Sequence, residues 1–456
     1  MYSPTSSRRL VAFDRRSGKV LWARDAADSF RHYGVCAGAG KVFCIDRAST
    51  EAVLQAARRG EKVKETPRTL ALEARTGKVL WQTQRHVGQQ LVYVAEHDIL
   101  LSQAALRGAD GTVVWEDRAA AKAIWDGKWG PLVGSQWIFS QGAAAYELLT
   151  GRQRTVLSAQ GKQVPWRYQK AYGCSPKAAG EHLITFRSGD AGYYDLKHDG
   201  GTGNLGGFRS GCTPNLIIAN GVLTAPDYTR TCTCAYQNRA SLALVHMPEV
   251  EYWTFGAIAG PGAVALNFGA PGDRRAADGT LWRATPAHAD PKLAPKLLIP
   301  VTPKTARYFY HHVSRVQGGE GLPWVAASGV MGIDSVEVPL EAVPADARLR
   351  IRLVFLDPEC TAPGQRIFDV QIDGQKVIQR LDIVSHAGGQ WRSLVREVRG
   401  LPVPLRPDDR PATLELKFIP IVGQPLLCGV EIIADQPDQP DQSGRTDKAE
   451  QLQQTD

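Results

Sequence analysis

The sequence predicts an all-β protein in two parts, a β-propeller followed by a β-sandwich, and three observations lead there. A strand–turn–strand unit closing on Gly-x-x-x-Trp recurs through the first half. The second half is a succession of alternating strands joined by tight turns. The 456 residues include 45 Gly, 28 Pro and 11 Trp but only 3 Met, which favours turns and rigid aromatic anchors over long helices. With 43% hydrophobic and 22% charged residues the chain can bury sizeable cores, which excludes wholesale disorder.

The repeat is clearest at LVAFDRRSGKVLW, ending at Trp22, and LALEARTGKVLW, ending at Trp81; a third copy, GADGTVVW, closes at Trp115. In each, glycine precedes tryptophan by four positions: Gly18 and Trp22, Gly77 and Trp81, Gly111 and Trp115. A fourth copy, AYELLTGRQRT, keeps Thr150 and Gly151 but carries Thr155 where the ring belongs, and a fifth, GYYDLKHDGGTG, keeps the strand and turn. The glycines at 18, 77, 111, 151 and 200 are separated by 59, 34, 40 and 49 residues. That spacing suits one four-stranded propeller blade of about 40 residues, with insertions. The longest gap holds STEAVLQAARRG, Ser49 to Gly60, which opens on an N-cap residue, continues in helix formers and stops at glycine, so it predicts an inserted helix. The glycines supply the positive φ of the turn, and the tryptophans are plates to wedge each blade against its neighbour.

These copies resemble the quinoprotein-type, PQQ-like β-propeller repeats, whose signature is A-x-D-x-x-T-G-x-x-x-W, over residues 8 to 245. The resemblance implies a propeller. Members that hold pyrroloquinoline quinone have about eight blades, two adjacent cysteines and a calcium. This chain has no Cys-Cys pair, since Thr233 separates Cys232 from Cys234, and it carries five or six blades. The expectation is therefore a propeller without a cofactor, one that is short, completed by another segment or truncated at its N-terminus.

Residues Asn204 to Glu249 hold Cys212, Cys232 and Cys234, with Cys174 upstream, and resemble a segment of large bacterial propeller proteins. Three readings of these cysteines stand: a thiolate metal site, a disulfide in an oxidising compartment, or small buried thiols. The formal charge of +8 is carried by scattered pairs such as Arg8 and Arg9, Arg58 and Arg59, and Arg274 and Arg275, not by a basic stripe interleaved with aromatics, so nucleic acid is not an expected partner. No apolar run is long enough to span a membrane, and the opening MYSPTSSRRL shows no signal peptide.

A Gly/Pro run, GAIAGPG, marks a boundary near Phe255 to Gly262. The expected division is propeller at 1–255, sandwich at 256–434 and a disordered Asp/Gln/Pro-rich tail at 435–456. In the second part LRIRLVFLD, RIFDVQIDGQKVIQRLDIV, WRSLVREVRG and ATLELKFIPI read as strands, with Asp373 and Gly374 in a hairpin turn. These segments, with Asn267 and Gly269, Asp278 and Gly279, and the closing strand at Cys428, resemble the malectin-like jelly-roll carbohydrate-binding domains over residues 264 to 434.

That resemblance implies loops that hold a glucose-type oligosaccharide by stacking and acidic hydrogen bonds. Phe355 and Asp357 match the family, but Glu359 and Cys360 stand where its sugar-binding member has an aromatic pair, and Gly423 stands where it has an aspartate. What remains is RYFYHH, with Tyr308, Tyr310, His311 and His312, plus Trp282 and Trp324 beside Gly, Pro or His. Trp282, Tyr310 and Trp324 are the expected sugar contacts at the mouth of the sandwich, with weak affinity, although a core or sheet-filling role fits the rings equally. Cys360 and Cys428 are candidates to pair. The function expected is non-catalytic recognition of a carbohydrate or protein, at or outside the cell envelope in the periplasmic or extracellular space. The alternative is an enzyme on the propeller axis, a quinone-dependent dehydrogenase or a hydrolase.

Overall fold

The computed structural model describes residues 6–126, 129–173, 176–208, 216–226, 240–245, 251–286, 299–340, 342–405 and 413–435. Cys174, Cys212, Cys232 and Cys234 lie outside these residues, as does the tail beyond Asp435.

The first part is a series of antiparallel meanders. The opening sheet runs Ser6–Phe13, Val20–Gly38, Lys41–Asp46, Arg68–Glu73 and Val79–Thr83 in chain order. Its 19-residue strand Val20–Gly38 pairs first with Ser6–Phe13 and then with Lys41–Asp46. The next sheet is Val92–Val94, Ile99–Leu101, Ala105–Arg107 and Val113–Trp115. Leu132–Val133, Trp137–Phe139 and Ala145–Glu147 follow, with a hairpin at Thr155–Leu157 and Gln163–Pro165. A further sheet runs Ala178–Ala179, Leu183–Ser188, Asp190–Asp195, Gly201–Asn204 and Thr254–Phe255, and a three-stranded one holds Ile217–Ala219, Val222–Ala225 and Leu242–Val245.

Alternation stacks these sheets as propeller blades. In the second blade Leu100, Ala104 and Leu106 pack with Phe43, Ile45 and Ala71 of the first, while Ile99, Leu101 and Ala105 pack with Ile138, Ala144 and Tyr146 of the third. Side chains at successive strand positions face opposite ways, so a central blade must be apolar on both faces. The inserted helix forms at Thr50–Arg58, with the Ser49 side chain accepting from Ala52 N at 3.1 Å and Gly60 at φ 72°. Its sequence signals are an N-cap serine and a left-handed terminal glycine.

The second part is a sandwich. One six-stranded sheet is ordered Arg274–Arg275, Leu281–Thr285, Ala263–Phe268, Gly429–Asp435, Arg348–Phe355 and Leu394–Pro402. The facing five-stranded sheet is Val301–Thr302, Ser335–Pro339, Thr413–Val422, Ile367–Ile372 and Gln375–Leu381. Leu349, Ile351, Leu353 and Phe355 point inward between Arg348, Arg350 and Arg352, and across the core Leu414, Leu416 and Phe418 do the same between Glu415 and Lys417. The strands Ile367–Ile372 and Gln375–Leu381 are joined through Asp373 at φ 45° and Gly374 at φ 77°, the two left-handed residues of a type I′ hairpin. Arg307–Tyr310, Ser328–Met331 and Leu426–Leu427 make a small third sheet over the loop end.

Candidate functional site

The segment between strands Arg348–Phe355 and Ile367–Ile372 has Asp357 as its second residue, and it is buried. Its Oδ1 accepts from Glu359 N at 3.0 Å and Cys360 N at 2.9 Å, folding the loop back on itself. Its Oδ2 accepts from Arg366 Nε at 2.6 Å. Arg366 also donates to Gln424 O and lies 3.5 Å from Glu359 Oε2, which in turn meets Arg307 through its other oxygen. Acid and base thus alternate from Asp357 through Arg366 and Glu359 to Arg307. The position that the family resemblance assigns to an aromatic pair is therefore held by a saturated ion ladder, with its carboxylates already committed to guanidinium and backbone donors. Gly423 sits beside it at φ 68°, where an added Cβ would stand 2.9 Å from Gln365 O, so this loop path resists the aspartate of the resemblance.

The expected sugar contacts come together, but not all on the surface. Trp282 exposes 4% and Trp324 9% of its surface, whereas Tyr310 exposes 41%. Trp282 and Trp324 meet edge to face at 6.2 Å, Trp253 meets Trp324 at 6.2 Å and Tyr310 at 6.2 Å, and Arg274 lies 4.6 Å over Tyr252 and 4.9 Å over Trp324. The two tryptophans are interior because Leu281–Thr285 is a sheet strand and Pro323–Ala326 a short helix capping the core, not open loops. Tyr310 is fixed from outside: its hydroxyl donates to Glu251, whose other oxygen accepts from Val313 N at 2.6 Å. Burial, then the Glu251 contact, push the Tyr310 phenol up to about 12. Tyr308, two residues away on the same strand, exposes 37%, so two rings share one face of Arg307–Tyr310.

This cluster also joins the two parts. Glu251, Tyr252 and Trp253 precede the strand Thr254–Phe255, which pairs with Gly201–Asn204 in the sheet that opens at Ala178. Thr254 Oγ1 donates to Gly200 O at 2.5 Å, and Arg275 donates to Asp199 O at 3.3 Å. Glu251, Tyr252 and Trp253 had no sequence signal of their own; only the rings they contact did.

The repeat residues interlock in the same manner three times. Trp22 Nε1 donates to Ala74 O at 2.9 Å, Trp81 Nε1 to Gly108 O at 2.9 Å and Trp115 Nε1 to Leu148 O at 2.8 Å. Each ring covers the turn glycine of the next blade: Trp22 on Gly77, Trp81 on Gly111 and Trp115 on Gly151. All three rings are half-buried. At the following junction Trp166 donates to Asp199 Oδ1 at 3.0 Å, and Asp199, at φ 48°, takes the left-handed position that the sequence reading gives to Gly200.

Among the described residues no group of three or more His, Cys, Asp or Glu could hold a metal ion. Cys360 and Cys428 are both free thiols, and Cys428 is buried beside Leu356 O.

A malectin domain family model matches residues 342–402, the stretch that contains the Asp357 loop and the strands flanking it. No curated protein matches the chain. Among solved structures, β-glucuronidase 2 of Bacteroides uniformis is 13% identical, over 38% of this chain and 18% of its own, with TM-score 0.28. The ANXUR2 extracellular domain from Arabidopsis thaliana is 14% identical, over 38% and 48%, with TM-score 0.29, and BamB from Moraxella catarrhalis is 14% identical, over 49% and 67%, with TM-score 0.32. The chain thus spans less than half the length of the first two.

Proposed function

We propose that the protein is a non-catalytic recognition protein: a PQQ-like, quinoprotein-type propeller at 1–255 presents a malectin-like sandwich at 256–434 to a carbohydrate or protein partner, at or outside the cell envelope. The observation that carries this reading is the malectin match over 342–402, on the strands that frame the loop end. With the Asp357 loop closed by its own ion pairs, the contact moves to the neighbouring strand, where Tyr308 and Tyr310 offer exposed rings on one face and Glu251 holds the Tyr310 hydroxyl in place. Sugar C–H faces stack on such rings, and Trp253 backs Tyr310 edge to face while packing in turn on Trp324. A shallow two-ring site yields weak binding, because lost ligand freedom cancels most of the gain.

The test is a glycan array on the full chain, followed by titration of any hit into Tyr308→Ala and Tyr310→Ala. Loss of binding in both variants is the expected result. Undiminished binding in both would place the contact elsewhere. On the same reading, addition of pyrroloquinoline quinone and calcium gives no dye-linked alcohol oxidation, and turnover would instead favour the enzyme.

A further inference from the structure

A cleft of about 340 Å³ opens on the propeller part, far along the chain from the sandwich, where the inserted helix supplies one wall through Thr50 and Val53. Arg31 and Tyr33 of strand Val20–Gly38 and Arg47 behind the next strand line it as well. We propose that this cleft binds the carboxylate-bearing sugar of an acidic glycan, a uronate residue.

Charge is the first argument. Arg31 exposes only 4% of its surface, and its two Nη atoms donate to neutral oxygens, Thr50 Oγ1 and Ala48 O. Its Nε has no acceptor. The carboxylate in the cleft, Glu65, is already engaged: one oxygen accepts from Arg47 Nη2 at 2.6 Å and the other from Ala48 N at 2.8 Å. Two guanidiniums therefore face one carboxylate, and the charge left over sits on a covered side chain. Buried charges are normally paired, so the cleft has a standing preference for an anion. Burial, and after it the charge of Arg47, also hold the Arg31 guanidinium below its ordinary value, as expected of a cation short of a counter-ion.

Shape and polarity select the kind of anion. Tyr33 exposes 58% of its surface and gives a free ring face, and Val53 exposes 40% beside it. Gln89 and Gln90 add carboxamides, each both donor and acceptor, which suit hydroxyl groups. The volume lies at the small end of ligand sites, about 300–1,000 Å³, and suits one sugar ring better than an extended chain. A ring face, carboxamides and an unpaired guanidinium match a pyranose that carries a carboxylate; an acidic peptide would leave the ring and amides unused.

The experiment titrates a trigalacturonate into the full chain at low salt, with a neutral glucose trisaccharide and a tri-glutamate peptide as comparisons. The acidic sugar should bind about tenfold or more tighter than the neutral one and weaken as salt shortens the screening length. Tyr33→Ala, an exposed position, should lose most of that affinity while keeping its circular dichroism and melting temperature, and Arg31→Lys should lose it if it folds. The Tyr308→Ala/Tyr310→Ala double variant should bind the acidic sugar unchanged, which separates this site from the sandwich. Equal affinity for the neutral sugar, equal or tighter binding of the peptide, no binding at all, indifference to Tyr33→Ala or loss in the sandwich variant would each overturn the proposal.

Discussion

The indole of Trp81 lies on the backbone of Gly111: a Cβ built on that glycine would stand 2.8 Å from Trp81 Cε3, and the ring nitrogen reaches Gly108 O at 2.9 Å, three residues earlier. Glycine at 111 is thus required twice, by φ 75° and by the ring. The same pair of demands recurs at Gly77 and Gly151, which makes blade docking a repeated, local interaction.

Trp81→Ala should lower unfolding free energy by about 3 kcal/mol, the scale of a large aromatic removed from packing. Trp81→Phe should cost less, about 1 kcal/mol for the lost hydrogen bond on top of some packing. Gly111→Ala should cost about 2 kcal/mol through the left-handed backbone alone, with the ring contact adding to it. Urea denaturation followed by tryptophan fluorescence measures all three; a neutral Gly111→Ala would contradict the docking.

The Asp357–Arg366 pair predicts an asymmetry. Both side chains are at least nine-tenths covered and 2.6 Å apart, so removing one leaves the other charged and buried. Asp357→Asn or Arg366→Met alone should cost about 3–5 kcal/mol, as broken buried pairs do, while the double change to apolar residues should recover much of the loss. A thermal-melt double-mutant cycle reads the coupling.

Lys177 gives a pH signature. It exposes 8%, its ammonium stands 5.9 Å over the Tyr168 ring, and burial, with Lys170 nearby, lowers it to about 8. Between about pH 8 and the ordinary lysine value the unfolded chain holds the proton that the folded one has released, so stability should rise with pH across that window. Lys177→Met should flatten the slope and raise stability at neutral pH by on the order of 2 kcal/mol. Chemical denaturation at three pH values decides it, and an unchanged slope in the variant would refute the assignment.

Thiol reactivity should follow burial. The Cys36 and Cys44 thiols are pushed up to about 12 by their surroundings, and burial raises Cys428 as well. Iodoacetamide at mild alkaline pH should leave Cys44 and Cys428 unmodified in the native protein and modify both once it is unfolded, with Cys360, only partly covered, reacting first of these. Peptide mass spectrometry of the alkylated protein tests the order.

The blades were legible because their signal is local. A turn glycine and a docking ring four residues later belong to one short segment, and the partner turn repeats the pattern. The fourth junction escaped, since Asp199 occupies the left-handed position with a side chain and receives Trp166 from a hairpin outside the motif. Aspartate visits that region often enough to serve but too seldom to be read as a glycine substitute. The sandwich strands were readable from period-two alternation, as in Leu349, Ile351 and Leu353. Its site was not. Trp282 and Trp324 have loop-like neighbours in sequence, and Trp324, which packs on Trp282, is itself covered by Trp253 and Arg274. The ladder from Asp357 to Arg307 likewise draws on separate strands, and no spacing announces it.

Arg274, wedged among Tyr252, Trp253 and Trp324, ties the segment that leads into Thr254–Phe255 to the interior of the sandwich. The connection is therefore packed by side chains and is not a bare linker. Were one polysaccharide to touch both parts, its second contact would form at an effective concentration set by solid geometry, not by the wandering of a tether. A loose linker would accommodate any distance between epitopes; a packed joint would act as a caliper, favouring a polymer whose repeat matches its span.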